Sequence, residues 1–267
     1  MISGLDHVAV AVRDFEAAVD GWRRLLGREP ELEPRDGAMR AWFHLPNMAL
    51  EVIAPVGPGA AGDRVRARLD TAGEGMWIAA FQVPDLAAAT RLAERRRLDI
   101  EPVGTVTRIR AAGLDFVLTP GRIGAQPSPL LGDPAGAPSG LDHIVVHTPN
   151  PDRALALYGA KLGLDLRLDR ANPQWGARQL FFKCGDLVFE VGASLKAPVS
   201  DDPDRFGGLA WRVAEPAAVH ARLAAAGFDV SELRTGRKPG TKVFTVRDAP
   251  SGVPTLMLSA EPITEVA

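Results

Sequence analysis

Gly4-Leu5-Asp6-His7-Val8-Ala9-Val10 and Gly140-Leu141-Asp142-His143-Ile144-Val145-Val146 repeat one pattern: a glycine, the triplet Leu-Asp-His, then a β-branched run. Strand alternation places His7 with Leu5, Ala9 and Ala11, and His143 with Leu141, Val145 and His147. The Val and Ile positions then face the other way, toward a packing helix. Each opening leads to a helix-like stretch and later to a glutamate inside an apolar strand. These are Glu51, in Met48-Ala49-Leu50-Glu51-Val52-Ile53, and Glu190, in Leu187-Val188-Phe189-Glu190-Val191. The His-to-Glu separations, 44 and 47 residues, nearly match. A repeat that carries a histidine and a glutamate in this way is both an architectural signal and a candidate metal site.

Working outward, Leu5–Val12 reads as a strand, Asp14 as an N-cap, and Phe15, Val19, Trp22 and Leu26 as one helix face ending at Gly27. Strands Ala41–Leu45 and Ala49–Ala54 flank a Pro46-Asn47 turn. A second unit starts near Trp77, caps a helix at Asp85 and returns through Thr105–Arg110 and Leu114–Thr119. The third restarts at Gly140, with Asn150-Pro151 opening a helix whose face carries Leu155, Tyr158 and Leu162. The fourth opens at Gly208–Val213, runs through a helix at Ala217–Ala226 and ends in strands Lys242–Val246 and Thr255–Leu258. Unit starts near residues 5, 77, 141 and 208 are spaced by 72, 64 and 67 residues. One such sheet alone would leave open edges and little core, so the units are expected to pair.

The expected fold class is α+β: four βαβββ units paired into two cup-shaped mixed-sheet domains. The first domain is expected at 1–120, from units 1–56 and 74–120, and the second at 140–262, from units 140–194 and 207–262. The segment 121–139, with four prolines and four glycines, reads as the linker; shorter Pro/Gly-bearing links fall near 55–75 and 193–207.

Bulk composition narrows the function. At 267 residues, with 46% hydrophobic and 24% charged side chains, the chain has the make-up of a globular protein with two real cores. A net charge of −2 supplies no basic field for nucleic acid or an anionic membrane. One cysteine, Cys184, excludes an intramolecular disulfide and any multi-cysteine metal site. No signal-peptide pattern or membrane-length apolar run is present, so a cytoplasmic monomer or homodimer with a small-molecule ligand is the expectation.

The two Leu-Asp-His openings, the Glu51 and Glu190 strands and the helix after each opening strand resemble the vicinal-oxygen-chelate superfamily, which includes glyoxalase I, bleomycin-resistance proteins and extradiol dioxygenases. The resemblance covers most of the chain apart from the linkers. It implies two βαβββ units per cup, with up to four metal ligands on the first and last strand of each unit. On that basis His7 and Glu51, and likewise His143 and Glu190, match ligand positions. In the second unit Trp77 or Met76 takes the histidine position and Val117 the acid position, with Asp115 two residues earlier able to share that face. In the fourth, Gly208 and Met257 stand there. The resemblance therefore implies a divalent metal, whereas these substitutions lead us to expect it weak or absent. Two-domain ring-cleaving dioxygenases need two histidines and a glutamate, of which His143 alone matches, so that activity is disfavoured.

Each candidate has a structural alternative. His7 and His143 could be satisfied by nearby backbone, and Glu51 and Glu190 could face solvent. Trp77, Phe81 and Trp211 could line a substrate pocket or fill a core. The turn at 236–241, holding Arg237 and Lys238, could bind an anionic ligand at the C-terminal cup or be a solvated hairpin. His44, His147 and His220 read as structural. Three functions follow: a glyoxalase-like lyase or isomerase acting on a small oxygenated metabolite, with His7, Glu51, His143 and Glu190 as its working residues; a metal-free binding or sequestration protein of bleomycin-resistance type; or one working domain and one structural domain. A less conventional pairing of units one and three would bring both His–Glu pairs into one site.

Overall fold

The computed structural model describes residues 2–121, 126–236 and 240–260. Sixteen strands among them form two eight-stranded sheets of the same design. The first holds β1 (Gly4–Ala11), β2 (Glu31–Arg35), β3 (Ala38–His44), β4 (Ala49–Pro55), β5 (Gly75–Gln82), β6 (Asp99–Val103), β7 (Val106–Ala111) and β8 (Leu114–Thr119). Their order is β2-β3-β4-β1-β5-β8-β7-β6. The second holds β9 (Gly140–His147), β10 (Asp165–Asn172), β11 (Ala177–Cys184), β12 (Leu187–Ser194), β13 (Arg205–Arg212), β14 (Arg234–Thr235), β15 (Thr241–Val246) and β16 (Thr255–Ala260). Its order, β10-β11-β12-β9-β13-β16-β15-β14, repeats the first. Units one and two thus share one sheet, and units three and four the other. His7 and His143 lie in different sheets, which removes the shared four-ligand site.

Local chemistry explains the helices. Helix α1 (Phe15–Leu26) starts where the Asp14 carboxylate accepts from the Ala17 N–H and stops at Gly27, whose φ is 64°. It buries Trp22, Leu25 and Leu26. The helix after β9 opens with Asn150 accepting from the Arg153 N–H and with Pro151 in its first turn. It continues over Leu155–Lys161 as a wider π-helix, a departure from the regular helical face expected for Leu155, Tyr158 and Leu162. Tyr158 is fully buried there, and its hydroxyl donates to Asp204 Oδ2 at 2.6 Å.

The helix-bearing faces of the two sheets meet in one continuous core. Phe81 and Phe116 of the first sheet stack at 5.7 Å; Phe81 also lies 5.9 Å from Phe189 of the second. Trp22 meets Trp211 edge-on at 6.4 Å. The opposite faces are left as the two cups. The described part of the linker is pinned down rather than loose. The buried Arg28 guanidinium donates to the carbonyls of Ser128 and Pro138, at 2.9 and 3.2 Å. No described helix is long and apolar enough to cross a membrane.

A further element departs from the sequence reading. Within the stretch 55–75, expected as a link, Ala60–Ala72 forms a helix, α2. Its Ala61, Val65 and Leu69 pack on Ala11, Ala38 and Ile53, and Trp77 packs against the same cluster. Ala11 and Ile53 lie on the face of β1 and β4 that carries His7 and Glu51, so α2 lies across the first cup. Its cap comes from far away: Asp36 accepts from the Ala60 and Ala61 N–H groups at 3.1 and 3.0 Å.

Candidate functional sites in the two cups

The repeated triplet builds the same constellation twice. In the first cup His7 Nε2 stands 3.6 Å from Glu51 Oε2, and Nδ1 lies 2.6 Å from Asp6 Oδ2. In the second, His143 Nε2 is 3.6 Å from Glu190 Oε2, and Nδ1 is 2.9 Å from Asp142 Oδ1. Each imidazole is held between two carboxylates. The 3.6 Å separations exceed a hydrogen bond but bring a protonated ring within ion-pair range. Adjacent strand residues normally point to opposite faces; here the register shifts between Leu5 and His7, and between Leu141 and His143. Asp6 and Asp142 are therefore bulge residues, turned so that aspartate and histidine meet. The sequence reading missed both aspartates as site residues, although their place in the repeated triplet was the signal.

Burial pushes Asp142 upward, but its hydrogen bond and charge interaction with His143, together with Arg212, outweigh that and hold it below the usual range. Arg212 Nε donates to Asp142 Oδ2 at 3.3 Å and Arg212 Nη1 to Asp186 Oδ2 at 3.1 Å. Asn47, in the turn after β3 of the first domain, donates to the Leu141 carbonyl at 2.7 Å and accepts from the Leu141 N–H at 3.0 Å. The first domain thus braces the strand that bears His143.

The cups differ around the glutamate. Arg40 Nε lies 3.2 Å from Glu51 Oε1, whereas Gln179 Nε2 donates to Glu190 Oε1 at 2.7 Å. Arg170 orients Gln179 by donating to its Oε1 at 3.2 Å, and its guanidinium lies 5.1 Å from the Trp175 ring. In the first cup Glu51 is 5% exposed under α2, and His7 meets the Trp42 ring edge-on at 5.1 Å. Arg64 of α2 has its pKa lowered by burial and by the neighbouring charges of Arg108 and Arg40. The second cup is open. A cavity of about 910 Å³ is bordered there by Glu190, Gln179, Val145, His147, Thr148 and Arg205.

Pseudo-two-fold symmetry within each sheet tests the ligand positions. His7 pairs with Ala80 and Ala9 with Ile78, so Ile78 is the counterpart of His7. Glu51 lies opposite Ala9 and Val117 opposite Ala80, so Val117 is the counterpart of Glu51. In the second sheet the counterparts of His143 and Glu190 are Gly208 and Leu256. Two expectations are corrected here by one residue each. Trp77 sits in the bulge beside Ile78, and Met257 is fully buried in the core while Leu256 holds the cup position. Gly208 has φ 139°, and a Cβ there would lie 2.4 Å from the Pro254 carbonyl oxygen, so the backbone itself refuses a histidine. At these four equivalent positions each cup offers one histidine and one glutamate, where a firm divalent site uses three or four ligands. Asp115 shares its face with Val117, but its carboxylate accepts from Trp77 Nε1 at 2.9 Å. Among the described residues no three His, Cys, Asp or Glu side chains are grouped to hold a metal. The residues present do not fit the metal centre that the family resemblance implied.

The other expected site residues divide. Phe81 and Trp211 are fully buried in the shared core, so they pack rather than face a ligand. Trp77 borders a separate cavity of about 470 Å³ at the domain junction. Arg237 and Lys238 lie outside the described residues. His147, read as structural, borders the open cavity, whereas His220 is tied to the Ser231 carbonyl at 3.0 Å. Cys184 is buried, which pushes its thiol up to about 12 and makes it unreactive at neutral pH.

Paired βαβββ units with a His–Glu pair in each cup define a class of two-domain cup proteins. The chain belongs to the glyoxalase/bleomycin resistance protein/dioxygenase superfamily, whose profile matches residues 6–125 and 142–245. Solved structures share the whole architecture at low identity. A variant of 4-hydroxymandelate synthase from Streptomyces coelicolor superposes with TM-score 0.76 and 14% identity, covering 98% of this chain and 93% of that one. The Mn(II)-bound glyoxalase from Novosphingobium aromaticivorans gives 0.69 and 16%, covering 97% and 82%. At such identities the likeness concerns the fold. An ethylmalonyl-CoA/methylmalonyl-CoA epimerase from Cereibacter sphaeroides is 44% identical over 62 residues, which is 22% of this chain and 46% of that protein.

Proposed function

We propose that the C-terminal cup is an acid–base site of isomerase type for a small carbonyl compound. The observation that carries this is the placement of Glu190, which borders the open cavity while held between His143 and Gln179. In this reading the Glu190 carboxylate takes a proton from a carbon next to a carbonyl. The C–H bond breaks, its electron pair moves into an enolate, and the proton passes to Glu190. Return of a proton to the opposite face of that carbon completes the isomerisation. In this reading His147, which borders the same cavity from the neighbouring strand, donates to the enolate oxygen. His143 stands beside the carboxylate, and Asp142 fixes the His143 ring. The local similarity to an epimerase supports proton transfer over oxygen insertion. The first domain, through Asn47, braces the strand that bears His143.

A second reading, a metal-free binding or sequestration protein, is favoured by the incomplete donor set of both cups. One experiment separates the two. Small 2-oxo acids and acyl thioesters are incubated with the protein in D2O, and deuterium uptake beside the carbonyl is followed by NMR. The isomerase reading expects uptake with the wild type and a loss of at least about 100-fold in Glu190→Gln. Tight binding without any uptake would favour sequestration, and uptake undiminished in Glu190→Gln would reject Glu190 as the base.

A further inference from the structure

We infer that Arg205 makes the C-terminal cup selective for a short carboxylate-bearing substrate, an inference that rests on Glu190 being that cup's acid–base group. Arg205 begins β13 and pairs with His147 on the central strand β9, so the two side chains share the cup face. The other charges at the cavity are engaged: Glu190 with Gln179 and His143, and Asp202 with the Ser200 hydroxyl at 2.8 Å. The exposed Arg205 guanidinium pairs with no carboxylate among the described residues.

The backbone under Arg205 is firmly held. The neighbouring Asp204 carboxylate is fully buried, accepting from Tyr158 Oη at 2.6 Å and Arg153 Nη2 at 2.7 Å. The Asp204 N–H donates to the Ala112 carbonyl of the first domain at 2.7 Å, and Arg153 also donates to the Asp202 carbonyl at 2.7 Å. An unpaired cation rooted in a fixed stretch of backbone on the cavity wall is available to an anion.

Register limits the ligand's length. Arg205 lies opposite His147 and Glu190 opposite Val145, on either side of β9. Their backbones are therefore two strand spacings apart, roughly 10 Å, and two residues along, roughly 7 Å. Both residues border the cavity, and their side chains are long enough to span most of that distance. The gap left suits a molecule whose carboxylate and acidic C–H are separated by a few bonds. One guanidinium near Glu190 and Asp202 matches a singly charged carboxylate better than a phosphate dianion, which those acids would repel.

The test uses the full chain with 2-oxobutyrate, 2-oxovalerate, 2-oxobutanamide and inorganic phosphate, read by titration calorimetry and by deuterium uptake at C3. The wild type is expected to bind both oxo acids in preference to the amide and to phosphate. Arg205→Gln should weaken oxo-acid binding by about 10- to 100-fold, with partial recovery in Arg205→Lys and an unchanged urea midpoint. Oxo-acid binding by Arg205→Gln equal to wild type overturns the inference. So does equal binding of acid and amide, a preference for phosphate, or no oxo-acid binding at all. Failure of the acid–base reading has a different signature: Glu190→Gln keeps its deuterium uptake while Arg205→Gln still loses affinity.

Discussion

Arg40 and Gln179 occupy the same place in their respective cups, two residues from the strand partner of the glutamate, and each contacts that glutamate: Arg40 Nε at 3.2 Å from Glu51, Gln179 Nε2 at 2.7 Å from Glu190. One carboxylate faces a full positive charge beneath a helix. The other faces a neutral amide beside open space. In the proposed reading, this difference and the cover of α2 set the first cup apart from the working one.

Exchanging the amide for the cation tests that division. Gln179→Arg should convert the second cup to the electrostatics of the first, since a guanidinium competes with substrate and with His143 for Glu190. Deuterium uptake is expected to fall by about 100-fold with the fold intact, as checked by NMR and circular dichroism. Undiminished uptake would show that Gln179 does not tune the carboxylate.

Asp142→Asn should loosen the His143 ring and destabilise the second domain by about 1–3 kcal/mol at neutral pH. Because folding lowers the Asp142 pKa, the wild-type advantage is complete above the unfolded aspartate value, about 3.9. It should vanish as the pH falls below that and through the folded value. Paired urea titrations at pH 7 and in acid measure this, and an advantage that persists in acid would contradict it.

Tyr158 is raised well above its ordinary value, first by burial and then by the Asp204 charge and hydrogen bond. An unfolded tyrosine ionises near pH 10, so wild-type stability should decline as the pH rises past about 10. Tyr158→Phe should lose about 1 kcal/mol at pH 7 and show a smaller alkaline decline. Asp204→Asn should cost more, about 3–5 kcal/mol, because it removes the charge that answers Arg153. Denaturant midpoints across pH report all three.

Asp36→Ala removes the distant cap of α2. The expected cost is about 1–2 kcal/mol, confined to that helix. Amide hydrogen exchange should accelerate across Ala60–Ala72, with protection of β9 and β12 unchanged. Uniform loss of protection would mean that α2 is integral to the whole fold.

Much of the architecture was legible because it is periodic. Strand alternation around His7 and His143, the caps at Asp14, Asp85 and Asn150, and the glycine stop at Gly27 are short-range signals, and the helices and strands follow them. The His–Glu pairings were also readable, since His7 and Glu51 sit at matching places in two copies of one unit. Helix α2 was not readable in the same way. Its Ala61, Val65, Leu69 stripe is short, its start at Gly59 lacks a side-chain cap, and its capping carboxylate lies in another turn.

By itself, then, the sequence determined four like units through strand alternation, helix caps and spacing, and its repeated Gly-Leu-Asp-His opening determined a histidine with a glutamate in each of two cups, because these patterns are properties of the chain alone. Only the tertiary structure decided the rest. Bulges turned Asp6 and Asp142 onto their histidines, the packing of α2 covered one cup, and the meeting of the two sheets drew Phe81 and Trp211 into the core and left Arg205 on a cavity wall. Those outcomes depend on contacts between residues far apart in sequence, and no local pattern encodes which of two similar surfaces another element will bury.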